Sequence, residues 1–191
     1  MNLVCRPLTA ARWPDLEAVF NARGCSVARG CWCMYYRRSG ASDALSNKGR
    51  AERNRAALKA LAAADPPPGL IGYRGTTPVG WVSLGPREHY ARLGRSVVMK
   101  PVDDELVWSI VCFVVPSEFR GQGVAHALLD AALVYARKRK VRLLEAYPVD
   151  RPERSSPDSL WFGTKSMFDT AGFREVARRR PQRPVVRLRL G

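Results

Sequence analysis

The sequence predicts an α/β domain built on a mixed sheet with helices packed against it. Three observations carry that expectation. An apolar run rich in Val and Ile, Val107 to Val115, is joined through Arg120-Gly121-Gln122-Gly123 to an amphipathic segment that starts near Val124. That is the pattern of a buried strand, a tight turn and a crossover helix. Two shorter β-type runs, Leu70 to Arg74 and Val79 to Leu84, flank Gly75-Thr76-Thr77-Pro78, a hairpin signal. The full order, strand, helix, helix, three strands, helix, strand, helix, strand, puts hairpins before the crossover helix, so parallel and antiparallel neighbours must share one sheet. With 191 residues and 46% apolar composition, the chain can bury one substantial core.

The elements follow in order. Asn2 to Pro7 reads as an edge strand, and Thr9 as the N-cap of a helix from about Ala11 to Asn21, with Leu16, Val19 and Phe20 on one face. Arg23 to Gly40 is irregular and carries Cys25, Cys31, Trp32, Cys33, Met34, Tyr35 and Tyr36. Asn47 to Ala64, rich in Ala, Leu, Arg and Lys, is a second helix that Pro66-Pro67-Pro68-Gly69 stops. After the hairpin, His89 to Arg95 forms a short helical turn, and Leu106 to Val115 is a buried strand closed by Pro116. The helix Val124 to Lys140 groups Ala127, Leu128, Ala131, Leu133, Val134 and Tyr135 on its apolar face. Four basic residues, Arg137 to Lys140, end it where cations suit the helix dipole. Val141 to Tyr147 is the next strand, Ser159 to Thr170 a short helix ended by Gly172, and Val185 to Leu190 a last strand with one wet face.

A net charge of +15, from 32 basic and 17 acidic residues, invites a nucleic-acid reading. The basic residues are mostly arginine, an excess that GC-rich coding alone produces. No arginine-glycine tail, zinc-finger spacing or aromatic strand motif accompanies them, so nucleic acid is not the expected partner. A positive surface also attracts a cofactor bearing several phosphates. No apolar run reaches the roughly 20 residues of a membrane span, and no signal-peptide pattern opens the chain, so a cytoplasmic protein is expected. An odd number of cysteines, 5, then argues for reduced thiols. Cys25, Cys31 and Cys33 look like three soft metal ligands, but neither His89 nor His126 stands at a spacing that completes a zinc site, and no metal is expected. Two readings of this loop stay open: buried thiols packed beside aromatics, or an aromatic acceptor pocket using Trp32, Tyr35 or Tyr36.

The glycine turn has the clearest chemistry. At a strand-to-helix junction, several backbone N–H groups point the same way at the positive end of a helix dipole, which suits phosphate oxygens. Gly121 and Gly123 carry no side chain to hold a pyrophosphate off the backbone, and Arg120 adds a fixed positive charge.

The stretch Val115-Pro116-Ser117-Glu118-Phe119-Arg120-Gly121-Gln122-Gly123-Val124-Ala125, followed by His126-Ala127-Leu128-Leu129, resembles the acetyl-CoA-binding motif of the GNAT acetyltransferases, Gln/Arg-x-x-Gly-x-Gly/Ala. Pro78-Val79-Gly80-Trp81-Val82 is similar to the start of that family's third strand, and Ala171-Gly172-Phe173 to its C-terminal Gly-Phe turn. The resemblance runs from about Gly69 to Leu190. It implies a single GNAT domain over 1–191, with its core motifs in 69–190 and an acceptor-side loop at 23–40. The sheet would be mostly antiparallel, splayed between its fourth and fifth strands and flanked by helices.

The same resemblance implies acetyl-CoA as co-substrate. Its pyrophosphate would lie on the N–H groups of Gln122, Gly123, Val124 and Ala125, with Gly121 shaping the approach and Arg120 beside the phosphates. The backbone of Phe113, Val114 and Val115 would pair with pantetheine and polarise the thioester, and Glu145 to Pro148 would form the opposite wall. A neutral primary amine, from a small molecule or a peptide, would attack the thioester directly. The sequence departs from the family at the proton-transfer positions. Phe168 stands where many members have a general-acid Tyr, and Ser109 where histone-type members have a Glu base. Glu105 with Asp104, acting through a water, and Tyr147 or Ser166 as proton donors are the candidates that remain, beside solvent itself. A homodimer is compatible with the resemblance, and no membrane partner is expected. The rival reading is a GNAT-fold module that holds an acyl-CoA or a protein partner with little or no turnover.

Overall fold

Local sequence explains most of the helices and strands, and a computed structural model describes residues 3–39, 47–150 and 161–191. The strands are Val4–Pro7 (β1), Gly69–Arg74 (β2), Thr77–Pro86 (β3), Trp108–Val114 (β4), Leu143–Ala146 (β5), Arg174–Arg178 (β6) and Pro184–Arg189 (β7). The helices are Trp13–Asn21 (α1), Ser26–Cys31 (α2), Asn47–Ala60 (α3), Ala91–Arg95 (α4), Val124–Lys138 (α5) and Lys165–Thr170 (α6). One sheet runs in the order β1-β2-β3-β4-β5-β7-β6. Every neighbouring pair is antiparallel except β4 and β5, which α5 connects as a crossover. Among the described residues, no helix is long and apolar enough to cross a membrane.

Burial assigns the two faces of the sheet. Val79, Val82, Leu84, Ile110 and Phe113 pack with Leu128, Leu129, Ala132, Leu133 and Ala136 of α5, joined by Met167 and Phe168 of α6. On the opposite face, Ile71, Tyr73, Trp81 and Val114 meet Trp13, Leu16, Val19 and Phe20 of α1, with Trp32 and Leu58. The apolar stripe of α5 therefore repeats every three to four residues, as a helix on a sheet requires. Val134, expected in that stripe, faces away and is exposed.

Four expectations are corrected. Thr9 makes no side-chain cap: Ala10–Arg12 is a 3-10 turn, and the α-helix begins at Trp13 with Pro14 in its first turn. The segment after Arg23 is partly helical, because α2 runs to Cys31 and stops at Trp32 in the left-handed conformation. The strand β6 was not expected. Its Arg-Glu-Val-Ala-Arg sequence is mostly exposed at the sheet edge, so it lacks an apolar alternation, and pairing with β7 holds it. Finally, the helix expected over Ser159 to Thr170 begins at Lys165; residues 159 and 160 lie outside the described residues. Thr164 caps it by accepting a hydrogen bond from the Met167 amide. Thr164→Ala is expected to lower stability by about 1 kcal/mol, read as a fall in melting temperature.

Candidate active site

The site begins where the sheet opens. Register between β4 and β5 covers Trp108 to Ile110 against Leu144 to Ala146 and then ends. On the other side of β4, Cys112 pairs with Ser83 and Ile110 with Leu84, which leaves Val111 as an inserted residue, a β-bulge. Beyond it, the Phe113 amide donates to the Trp161 carbonyl oxygen at 2.6 Å. Val149 donates to Gly163 and Lys165 to Val149, both at 2.9 Å. The segment Trp161 to Lys165 thus lies between the diverging strands. Trp161, rather than Glu145 to Pro148, lines the cavity on that side.

A cavity of about 650 Å³ runs along the exposed edge of β4 to the glycine turn. Val111, Cys112, Phe113, Val114 and Val115 form its floor. Arg120, Gly121 and Ala125 close one end, and α2 with Tyr35 and Tyr36 lies across it. Gly121 and Gly123 have φ of +72° and +75°, and nothing lies within 4 Å of where a Cβ would stand on either. Only glycine adopts that backbone at little cost, and the space it leaves faces the start of α5. That helix has no side-chain N-cap and no acidic residue in its first turn, so its end keeps donors and a positive dipole for an anion. Gln122 is drawn sideways: Arg74 donates to its Oε1 at 3.0 Å, and its Nε2 donates to the Glu118 carbonyl at 2.6 Å. Both ends of its side chain are thus engaged, which leaves the amide as the group it can offer a ligand at the turn. Val124 likewise buries its side chain in the core while its backbone opens the helix.

Arg120 has a second task. Its Nε donates to the Val115 carbonyl at 3.0 Å and its Nη2 to the Gly24 carbonyl at 2.5 Å. Ser117 donates to the Arg23 carbonyl at 2.9 Å, so two links bind the loop before α2 to the exit of β4. At the far end of the loop, the Arg92 amide donates to the Tyr36 carbonyl at 3.0 Å, and the Arg92 guanidinium lies 4.3 Å over the Tyr35 ring. The wall over β4 is thereby held at both ends.

The aromatic candidates separate. Trp32 is 2% exposed and stacks on Phe20 at 4.8 Å and Trp13 at 5.7 Å; it is core, not cavity wall. The left-handed turn at Trp32 and Cys33 drives that ring inward. Tyr35 and Tyr36 meet edge to face at 4.8 Å, and both line the cavity. Burial first, and then Tyr35, pushes the Tyr36 hydroxyl up to about 12. Cys25, Cys31, Cys33 and Cys112 also line the cavity, so the two readings of the cysteine loop meet in one place. Among the described residues, no group of three or more His, Cys, Asp and Glu is arranged to hold a metal ion.

The proton-transfer candidates lie elsewhere. Glu105 pairs with Arg189 at 2.7 Å on the surface, where alternation along β7 presents that arginine. Ser166 is exposed on α6 beside Thr164, 3.1 Å away. Tyr147 is fully buried and donates to Glu145 at 2.7 Å; burial, then the Glu145 charge, holds its hydroxyl far above the usual range. None of the three lines the cavity. Phe168 is buried against Phe173 and Phe113. Ser109 is buried and bonded to the Tyr147 hydroxyl at 2.9 Å.

Tyr147 and Ser109 lead to a feature that sequence reasoning assigned only to a wall. Glu145, 0% exposed, takes Arg187 Nε at 2.8 Å, the Tyr147 hydroxyl and Arg87. Arg187 also grips Asp103 with two bonds of 2.6 and 3.0 Å. The available signal was a carboxylate inside the apolar run Leu143-Leu144-Glu145-Ala146-Tyr147, since a charge buried there must find partners. This network fixes β5, β7 and the end of β3 at the base of the splay.

Comparison with known proteins places this arrangement. Residues 35–155 match the model of the acetyltransferase (GNAT) family. No curated protein matches the sequence. The PaiA N-acetyltransferase of Thermoplasma acidophilum, solved in complex with coenzyme A, superposes with a TM-score of 0.54 at 12% identity, over 100% of both chains. A polyamine N-acetyltransferase of Drosophila melanogaster gives 0.56 at 12% identity, over 99% of this chain and 100% of that one. A ribosomal-protein-alanine N-acetyltransferase of Brucella melitensis gives 0.52 at 20% identity, over 98% and 99%. These likenesses establish the fold, and the family match, covering most of the chain, establishes descent: the protein belongs to the GNAT acetyltransferases, which use acetyl-CoA as acyl donor.

Proposed function

We propose that the chain is a single GNAT domain that transfers the acetyl group of acetyl-CoA to a primary amine borne on a neutral apolar or aromatic body. One observation carries the acceptor class. Among the described residues lining the cavity, Arg120 is the one charged side chain, and it stands at the glycine turn. The rest of the wall is Val, Ala, Cys, Tyr, Phe, Trp and Gly. Among these described residues a polycation meets no carboxylate, whereas an aromatic amine meets Tyr35, Tyr36 and Trp161. The amine can come from a small molecule or from a peptide end.

The glycine turn supports a place for the donor. The amides of Gln122 to Ala125 and the charge of Arg120 suit the pyrophosphate, and the open space at Gly121 and Gly123 admits it. When bound, acetyl-CoA supplies an activated carbonyl. Pantetheine would compete with the Trp161 carbonyl for the Phe113 amide. Among the described residues, no carboxylate lines the cavity to act as base, so the wall itself favours the reactive amine: an apolar surround disfavours the ammonium form. Solvent then protonates the departing thiolate.

The test is acetyl-product formation over a panel of phenylalkyl amines, polyamines and short peptides. Phenylalkyl amines are expected to turn over fastest; preferential turnover of polyamines would overturn the acceptor assignment. Coenzyme A binding with no turnover on any amine would favour the non-catalytic module, a reading that Phe168 and the Trp161 contact support.

A pH profile separates base-free chemistry from catalysis by a protein group. Below the acceptor's own pKa, kcat/KM is expected to rise about tenfold per pH unit, following the free-amine fraction. The inflection should move with the amine chosen. An inflection fixed across amines of different basicity would contradict this account.

A further inference from the structure

Four of the chain's cysteines, Cys25, Cys31, Cys33 and Cys112, line one cavity, although they are spread over the N-cap and last residue of α2, the turn after it and β4. Cys33 belongs to the turn in which Trp32 and Cys33 have φ of 48° and 49°. Two successive non-glycine residues in the left-handed region cost about 1–2 kcal/mol each, so packing must hold the turn. Trp32, locked between Phe20 and Trp13, provides that packing, and Cys33 is left buried against the cluster that Cys112 also touches. Cys112 sits next to the bulge at Val111, in the stretch of β4 that the fifth strand has left. Both thiols therefore face one cavity and pack against one apolar cluster. Two free thiols placed this way are joined once their Cα atoms come within about 7 Å.

We propose that Cys33 and Cys112 are a site of oxidative cross-linking, joined into a disulfide by a peroxide, and that the bond closes the cavity. One cysteine, as thiolate, attacks a peroxide oxygen. The O–O bond breaks, the sulfur keeps one oxygen as a sulfenic acid, and the other leaves as hydroxide, which takes up the thiol proton to become water. The second thiol then attacks the sulfenic sulfur and expels water as the S–S bond forms. Each sulfur gives up one electron, the peroxide takes both, and two waters leave for one hydrogen peroxide consumed.

Drawing Cys33 onto β4 pulls the wall formed by α2, Tyr35 and Tyr36 against Cys112, across the space an acceptor would cross. Burial restrains the reaction. The contact with Cys33 and burial both push the Cys112 thiol up, and burial takes Cys31 to about 11, so little thiolate is present at neutral pH. The cross-link is accordingly slower than oxidation of an exposed cysteine. Cys31 is the alternative partner for Cys33, but one residue separates them in sequence and a disulfide between such close neighbours is strained.

The experiment treats the full-length protein with hydrogen peroxide and follows intact mass and disulfide-mapped peptides. The expected result is a species lighter by about 2 Da, carrying a Cys33–Cys112 link that dithiothreitol reverses. Cys112→Ser and Cys33→Ser should each lose the link, and Cys5→Ser should keep it. In a preparation active on any amine, the cross-linked form should lose on the order of 100-fold in rate and recover on reduction. Mapping needs no activity, so it stands apart from the acyl-transfer reading, and the unsubstituted protein answers even if a serine variant fails to fold. A Cys31–Cys33 link, or sulfinic acid without any cross-link, would overturn the proposal. Full activity in the cross-linked form would overturn its effect on the cavity.

Discussion

Replacing Gly123 by valine is expected to weaken coenzyme A binding by on the order of 100-fold or more. The reason is geometric. Gly123 caps α5 with φ of +75°, and the space where a Cβ would stand is empty for at least 4 Å. A side chain there fills the cradle and holds a phosphate away from two or more backbone amides. Each hydrogen bond to a charged acceptor is worth about 1.5–3 kcal/mol, so losing two costs roughly 3 kcal/mol at least. The substitution also strains a left-handed residue, by about 1–2 kcal/mol of stability. Gly75→Val separates the two effects, because Gly75 has φ of +61° and an equally open surround but lies in the β2–β3 turn. Calorimetric titration with coenzyme A should show the loss in the Gly123 variant alone, and thermal melts should show similar losses of stability in both. Equal affinity in the two variants would remove the glycine turn from the donor site.

Glu145→Ala is expected to cost about 3–5 kcal/mol of stability, the range for removing one partner of a buried ion pair. The carboxylate is fully buried and serves Arg187, Arg87 and the Tyr147 hydroxyl together. Without it, Arg87 and the Tyr147 hydroxyl lose a buried acceptor, while Arg187 keeps Asp103. For a chain of this size the melting temperature should fall by roughly 10 °C. Glu145→Gln keeps the shape and an acceptor oxygen but not the charge, and should fall between the alanine variant and the unsubstituted protein. The network lies at the base of the splay and outside the cavity, so the claim concerns folding. A Glu145→Ala protein with an unchanged melting curve but abolished turnover would instead move Glu145 into the chemistry.

The parts of the fold that were legible in the sequence are those written locally. The run Val107 to Val115, the hairpin at Gly75 and the helix after Gly123 each carry their own period and turn chemistry, and each formed where expected within a few residues. The strand β6 was hidden because an exposed edge strand needs no apolar alternation, and α2 because its stop is a left-handed Trp32 instead of a glycine. The glycine turn itself was legible for the same reason as the helices: glycine spacing, a following helix and Arg120 lie within a few residues. The wall of the cavity was not. Trp32 and Tyr35 are near neighbours in sequence, yet one turn sends Trp32 into the core and leaves Tyr35 at the cavity. Cys112 meets Cys33 only once the loop folds over β4, and Glu105 is claimed by Arg189, which lies far along the chain. Contacts of that kind depend on topology, and no local pattern encodes them.

The most direct measurement is a crystal structure of the protein with acetyl-CoA. The pyrophosphate is expected on the amides of Gln122 to Ala125 beside Arg120, with pantetheine along Phe113 to Val115 and the Trp161 carbonyl displaced from the Phe113 amide. The acetyl group should then lie in the cavity between Val111, Cys112 and Tyr36. A coenzyme bound away from the glycine turn, or one whose acetyl group points out of that cavity, would contradict the account.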